Sequence, residues 1–136
     1  MKNLFGILLL ASLVFAPVCV FAQPGGRDFD AFKPISKYIT LGDAERLSAW
    51  FADNLEVSIA SSSIDSSKNQ AKQILKSFFD QYTPNSFEIT HTAGKGEMKY
   101  ALGTLKAGGE TFMVTVFIGS TGRDYKIQQL RIDRMR

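Results

Sequence analysis

The sequence is poor in the side chains that form covalent cross-links or bind transition metals. It holds one cysteine, Cys19, and one histidine, His91, among 136 residues. A single cysteine cannot form a disulfide within the chain, so no disulfide framework is expected. One imidazole with scattered carboxylates gives no ligand set at metal-binding spacing. We therefore expect neither a metal nor a cofactor.

An excess of one charge sign is also missing. Lys and Arg number 16 against 13 Asp and Glu, a formal net charge of +3. Nucleic-acid readers normally carry a clustered basic patch with interleaved aromatics, whereas the basic residues here are spread out. Only Arg131, Arg134 and Arg136 lie close together, as expected of a solvated last strand and tail. Nucleic acid is not an expected partner.

Recognisable catalytic motifs are absent as well. The sequence has no Gly-rich phosphate loop after a strand, no Gly-x-Ser-x-Gly and no defensible pair of carboxylates. Gly103 stands alone within a strand pattern, which indicates a close backbone approach or a bend in the sheet. These absences leave the activity open.

A long apolar run lies at the N-terminus and has the layout of a secretory signal peptide. Lys2 precedes an uncharged stretch from Leu4 to Phe21, and Ala22 supplies the small residue at the cleavage site. We predict cleavage after Ala22 and a periplasmic or secreted protein with no permanent membrane span. The alternative is an uncleaved anchor, because about 20 apolar residues suffice to span a bilayer. The interruption at Pro17 favours cleavage.

Cys19 could mark a lipoprotein, but Val18 directly before it is a poor match to that signal, so lipidation is not expected. After cleavage the chain keeps 136 − 22 = 114 residues and no thiol. That length suits one domain with its own core. We expect a flexible lead-in over 23–28 and a single α+β domain over 29–136.

Helical spacing marks the first part of this domain. Pro34 interrupts the first stripe, so either the helix begins near Pro34 or two short turns meet there. Gly42 suits a helix end, and Asp43 suits the N-cap of a second helix that reaches about Ala52. The first stripe consists of Phe29, Phe32, Ile35 and Ile39.

A third helix has the clearest pattern, with apolar residues at steps of three and four from Ala71 to Tyr82. Ser67 and Gln70 have the form of a capping box, and Pro84 ends the helix. The stretch 61–67 is rich in serine and is predicted to be a link.

The rest of the domain is predicted to consist of strands. Apolar and polar residues alternate over 55–60, 87–92 and 98–102. Phe112–Ile118 is nearly all apolar or Thr and is predicted to be covered on both faces. The last strand, about Tyr125–Asp133, changes phase, which one extra residue at Gln128 or Gln129 would explain as a β-bulge.

The predicted order is helix, helix, strand, helix and then four strands. Short loops make the final meander antiparallel. The helices must bury their apolar stripes on one side of the sheet. The fold class is therefore α+β, with a curved antiparallel sheet of four or five strands and three helices on its concave face.

This order, together with several short stretches, resembles the nuclear transport factor two-like fold of the cystatin-like group. More narrowly, the chain resembles a family of uncharacterised exported bacterial proteins with that fold. The resemblance implies a cone with a pocket between the helices and the inner sheet face, but no assigned activity. The stretches are Gly42–Ser48, Lys68–Phe79, Phe87–His91, Tyr100–Leu105 and Ile127–Ile132.

Alternation places His91 beside Phe87 and Ile89, and Tyr100 between Met98 and Leu102, on the inward faces. His91 could transfer protons near neutral pH, and the Tyr100 hydroxyl could donate to a ligand carbonyl. The alternatives are a strand-end histidine bonded to backbone and an ordinary core tyrosine. Four further aromatics could line the pocket or be plain core: Trp50, Phe51, Phe78 and Phe79.

Two hypotheses follow. The first is a non-catalytic module of the cell envelope that binds a small apolar ligand or an envelope protein, with a homodimer formed through the outer sheet face. The second is a small isomerase- or hydrolase-like enzyme using His91 and Tyr100. Inward-facing carboxylates are absent from the predicted strands, which favours the first, although a register shift of one residue would reverse every face. An immunity- or inhibitor-like partner protein is a third option.

Overall fold

The computed structural model describes residues 29–122 and 124–135. The predicted signal peptide, its cleavage site and the lead-in lie outside these residues. The chain separates into the units Met1–Asp30 and Ala31–Arg136, and the second is described below. Its helices are α1 (Phe32–Leu41), α2 (Ala44–Leu47) and α3 (Lys68–Gln81); its strands are β1 (Phe51–Ile59), β2 (Ser62–Ser67), β3 (Pro84–Lys95), β4 (Met98–Ala107), β5 (Glu110–Ser120) and β6 (Tyr125–Arg134).

The local signals at the helix ends are confirmed. Pro34 lies in the first turn of α1, where its missing N–H is tolerated. Gly42 ends α1 with a φ of 66°, a left-handed conformation that glycine adopts at little cost. Asp43 caps α2 by accepting the Arg46 N–H at 3.0 Å, and Ser67 caps α3 by accepting the Gln70 N–H at 3.1 Å. Among the described residues no helix is long and apolar enough to cross a membrane.

The second helix is shorter than predicted. It ends at Leu47 and continues as a 3₁₀ turn, Ser48–Trp50, before β1 begins at Phe51. Phe51 is fully buried and pairs with Ile127 of β6. Partnering in the sheet therefore overrides the helical spacing of the apolar residues in this stretch.

The stretch predicted as a serine-rich link is a strand. β2 pairs antiparallel with β1 from Asn54 opposite Ser67 to Ile59 opposite Ser62. Ala60 and Ser61 form the two-residue turn between them. Serine has weak strand propensity and shows no apolar alternation, so the local sequence does not indicate a strand.

The sheet has six strands in the order β2-β1-β6-β5-β4-β3. The prediction of a wholly antiparallel sheet with four or five strands is wrong in detail, because β1 and β6 are parallel. The α+β class, with helices on one side of the sheet, is confirmed. The parallel pair joins the chain's first and last strands, a long-range pairing that short-loop reasoning could not detect.

The two faces of the sheet differ in burial. On the helix face, β5 contributes Phe112, Val114, Val116 and Ile118, all buried, and Phe112 contacts Phe78 of α3 at 5.1 Å between ring centroids. The opposite, open face carries the alternate residues of β5, which are Met113, Thr115 and Phe117. β5 is therefore covered on one face by its own chain, not on both as predicted.

Bulges in β6 and β3 change which side chains reach each face. Ile118 pairs with Ile127 while Phe117 pairs with Gln129, so Gln128 is an extra residue in β6. This confirms the predicted bulge. The register of β3 shifts between Pro84 and Ser86 at its start, and a second bulge lies between Ile89 and His91. The sequence analysis did not predict this second bulge.

Candidate functional site

His91 lies on the open face, not on the helix face as predicted. Ile89 is opposite Gly103, but His91 is opposite Leu102, because Thr90 is an extra residue in β3. The bulge reverses the alternation, so His91 faces away from Phe87 and Ile89. Its side chain is exposed.

Tyr100 lies on the open face for a different reason. The buried residues of β4 include Lys99, Ala101 and Leu105, which alternate with Tyr100. Tyr100 pairs with Phe117, and Leu102 pairs with Thr115. The predicted inward set of Met98, Tyr100 and Leu102 is thus the outward set.

His91 and Tyr100 are neighbours, but they lie outside the helix-covered interior. The His91 and Tyr100 rings are 6.0 Å apart between centroids, and the Tyr100 and Phe117 rings are 5.5 Å apart. These three rings form a row across β3, β4 and β5. Met98 and Met113 lie on the same open face, in β4 and β5, and are 49% and 41% exposed. We name the set of His91, Met98, Tyr100, Leu102, Met113 and Phe117 the open-face strip.

The open-face strip shows few of the features that a catalytic site needs. A general base needs a reacting proton within hydrogen-bond reach and a site from which bulk water is excluded. His91 is exposed, and its ring neighbour is the half-buried Tyr100. Among the residues that the structure describes, no group of three or more His, Cys, Asp or Glu side chains could hold a metal ion.

The four aromatics proposed to line a pocket occupy three kinds of place. Phe51 and Phe79 are buried in the core, and Trp50 is half-buried at the end of the 3₁₀ turn. Phe78 is 5% exposed, packs against Phe79 at 5.8 Å between ring centroids and also lines a cavity. Phe78 is thus both a core residue and part of a cavity wall.

That cavity, of about 270 Å³, lies where α3 crosses the ends of β1, β5 and β6. Its walls include Tyr82, Phe112 and Arg134, none of which the sequence analysis selected as site residues. Of these three, Tyr82 could have been selected from the sequence, because it extends the apolar stripe of α3 by one turn. The approach of Phe112 and Arg134 depends on the pairing of β5 with β6, which places these two residues directly opposite each other.

The order of elements and the one-sided helix layer define the class of fold. An NTF2-like protein of unknown function from Silicibacter pomeroyi superposes on this chain with a TM-score of 0.64 at 12% identity, covering 83% of this chain and 100% of that chain. At this identity the likeness concerns the fold alone. The predicted resemblance to the nuclear transport factor two-like fold is confirmed.

The family of this chain is a narrower group than the fold class. The family described as Domain of unknown function (DUF4783) matches residues 32–133, and the chain belongs to it. A DUF4783 family protein from Bacteroides uniformis is 24% identical, with a TM-score of 0.73 over 75% of this chain and 94% of that chain. One from Bacteroides ovatus is 23% identical, with a TM-score of 0.74 over 76% and 94%. No curated protein matches this chain.

Proposed function

We propose that this protein is a non-catalytic binding module of the cell envelope that docks a second copy of itself through the open face of its sheet. One observation carries the proposal. In β4 the small residues Ala101 and Gly103 point to the helix face, whereas the larger Tyr100 and Leu102 point to the open face. Apolar side chains on a sheet face that the chain's own helices leave uncovered are typical of an interaction surface.

The charges around the strip suit a second copy. Arg131 and Asp133 lie on the open face of β6, opposite Thr115 and Met113, with 3.8 Å between the guanidinium Nη2 and the carboxylate Oδ2. Glu88 lies on the same face of β3, opposite Thr104. An apolar centre flanked by charges of both signs is self-complementary under a two-fold axis.

The size of the face also suits a dimer. Four strands of about ten residues span roughly 19 by 33 Å, or about 600 Å² in projection. Stable interfaces bury about 800 Å² on each partner, so this face is of the required order. The parallel β1–β6 pair extends the sheet further on one side.

An isomerase or hydrolase based on His91 and Tyr100 has weaker support. Their rings lie 6.0 Å apart but share the open sheet face, while the interior between helices and sheet is packed with buried apolar side chains. Preorganised catalysis depends on an enclosed site that excludes water. The row of rings fits a docking role better.

Export is part of the proposal and is supported by the N-terminal sequence alone, through its charged start, apolar run and Ala22. An exported module would be recovered from the periplasm or the medium with Gln23 as its first residue. Protein purified from that fraction therefore serves both tests, with mass spectrometry for its N-terminus and sedimentation velocity for its oligomeric state.

We expect a dimer at roughly 100 µM, a concentration at which even weak complexes form. Phe117→Glu puts a charge in the strip and should yield a monomer, because a desolvated, unpaired carboxylate is costly at an interface. Gln73→Glu makes the same charge change at an exposed position of α3 and should leave the dimer intact. Met113→Lys provides a second disrupting variant should Phe117→Glu fold poorly.

Three outcomes would contradict the proposal. A wild-type protein that sediments as a monomer at that concentration contradicts the dimer. A Phe117→Glu or Met113→Lys variant that folds and remains a dimer contradicts the assignment to the open face. A chain that keeps residues 1–22 and stays in the cytoplasm contradicts export.

A further inference from the structure

A groove along the C-terminal half of α3 is separate from the open face. It consists of two adjoining depressions, of about 270 and 380 Å³, which share Ile59, Phe78 and Tyr82 in their walls. The first depression lies against the ends of β5 and β6, and the second runs along α3 past Ile74 and Gln81. The smaller volume lies just below, and the larger within, the range for small-molecule sites, about 300–1,000 Å³.

Three aromatic rings form one wall of this groove. Phe78 lies 5.2 Å from Tyr82 and 5.1 Å from Phe112 between ring centroids, and Tyr82 lies 5.1 Å from Phe112. Phe112 meets both other rings edge-on, at 74° and 72°. Ile59 and Ile132 complete the apolar lining of the first depression. Such a wall suits an apolar body of a few carbon atoms or a ring.

A positive charge is held at the edge of this wall. The Arg134 guanidinium carbon lies 5.8 Å from the Tyr82 ring centroid and 5.9 Å from that of Phe112. Its Nη2 donates a hydrogen bond to the Tyr82 hydroxyl at 2.8 Å, and its Nε lies 3.8 Å from Oε1 of Glu110. Aromatic stacking and the Tyr82 bond thus orient a half-exposed guanidinium over the cavity.

The oriented guanidinium retains donor capacity. A guanidinium has five N–H groups, and one of them is used by Tyr82. The Glu110 separation of 3.8 Å exceeds hydrogen-bond length, so this pair is an ion pair without a bond. A carboxylate is planar and accepts two parallel N–H bonds from arginine, a geometry that lysine cannot provide.

The turn between β1 and β2 lies beside the groove. Ala60 and Ser61 have φ angles of 54° and 70°, although neither is glycine. Positive φ at both central residues is the geometry of the type I′ turn that two-residue hairpins favour. The turn is held by a bond from the Ala60 N–H to the Ile132 carbonyl at 2.9 Å, and Ala60 lines the cavity.

We infer that this groove binds a small carboxylic acid, with its apolar body along Phe78 and Phe112 and its carboxylate on Arg134. The inference goes beyond the proposed docking function, since it concerns the helix side of the sheet and not the open face. Loss of either activity would leave the other intact.

The test uses 4-phenylbutanoate and its uncharged analogue 4-phenylbutan-1-ol as probes in a ¹H–¹⁵N NMR titration of the whole protein. We expect both to shift amides near Ile59, Phe112 and Ile132, and the acid to bind more tightly than the alcohol. Arg134→Gln should weaken the acid at least about 10-fold and leave the alcohol unchanged, because one charge-assisted bidentate contact is lost.

Arg131→Gln is the matched control. Arg131 and Arg134 lie on the same strand and their side chains are both 47% exposed, but Arg131 lies on the open face. Arg131→Gln should leave the affinity for the acid unchanged, and Tyr82→Phe, which frees Arg134 from its hydroxyl partner, should weaken it less than Arg134→Gln.

Three results would overturn the inference. The first is no saturable shift with either probe. The second is an equal affinity of wild type and Arg134→Gln for the acid. The third is an equal loss in Arg134→Gln and Arg131→Gln, which would indicate attraction by net charge alone.

Discussion

Gly103 determines how β3 and β4 approach each other. A Cβ built on Gly103 would lie 2.5 Å from two atoms of the Phe87 ring and 2.9 Å from the Glu88 carbonyl oxygen. Such distances require a shift of the ring or of the strand. From the sequence, this glycine indicated either a close backbone approach or a bend in the sheet, and in the structure the Phe87 ring is the group that approaches it.

Gly103→Ala should therefore destabilise the fold by about 1–3 kcal/mol, the usual cost of overpacking a core. Urea denaturation of the variant measures this free energy of unfolding. Adding Phe87→Leu removes the far end of the ring and should recover part of the loss, which is a positive coupling between the two sites. Equal stability of wild type and Gly103→Ala would show that Phe87 is free to move away.

Residue-level signals were most predictive where the physics is local. Gly42, Asp43 and Ser67 act within three or four residues of their own positions, so the sequence identified each cap. The face of Tyr100 was not predictable in this way. Met98, Tyr100 and Leu102 have the more apolar pattern, but the helix face of β4 takes the alternate residues, among them Lys99, Ala101 and Gly103, and the Phe87 ring lies against Gly103.

At the scale of elements, α3 depends on a defined start. Its N-cap, Ser67, is also the last residue of β2, so one residue both ends a strand and begins a helix. The Ser67 side chain accepts the Gln70 N–H at 3.1 Å. This satisfies one of the backbone donors that a helix start leaves without a partner.

Ser67→Ala should cost about 1 kcal/mol, within the 0.5–2 kcal/mol range for lost N-caps. Ser63→Ala, at an exposed position of β2, is the matched control and should change stability by less than about 0.5 kcal/mol. Chemical denaturation of both variants provides the measurement. Similar losses in both would assign the effect to the strand and not to the cap.

Strands were harder to predict than helices because their partners are distant in sequence. The Gln128 bulge was predictable, since it shifts the apolar phase within one strand. The bulge at Thr90 in β3 was not predictable, because Phe87, Ile89 and His91 follow a regular alternation in the sequence. β2 was missed because all of its residues except Ile64 are polar, and it is a strand through its pairing with β1.

At the scale of the whole molecule, the sequence predicted the α+β class and the resemblance to the family, which the match over residues 32–133 confirms. The predicted inward placement of His91 and Tyr100 was wrong, because both lie on the open face. That single difference changes the functional interpretation. A pair in a closed cone would suggest proton transfer, whereas a row of rings on an open face suggests docking.

The most direct test of this docking face is the oxidation of Met98 and Met113 by dilute peroxide, followed by mass spectrometry. Both side chains belong to the open-face strip and are 49% and 41% exposed in the single chain. If a second copy covers the strip, their oxidation should slow several-fold as protein concentration rises, and Phe117→Glu should abolish that dependence. Oxidation rates that stay constant from dilute to concentrated wild-type protein would contradict the account.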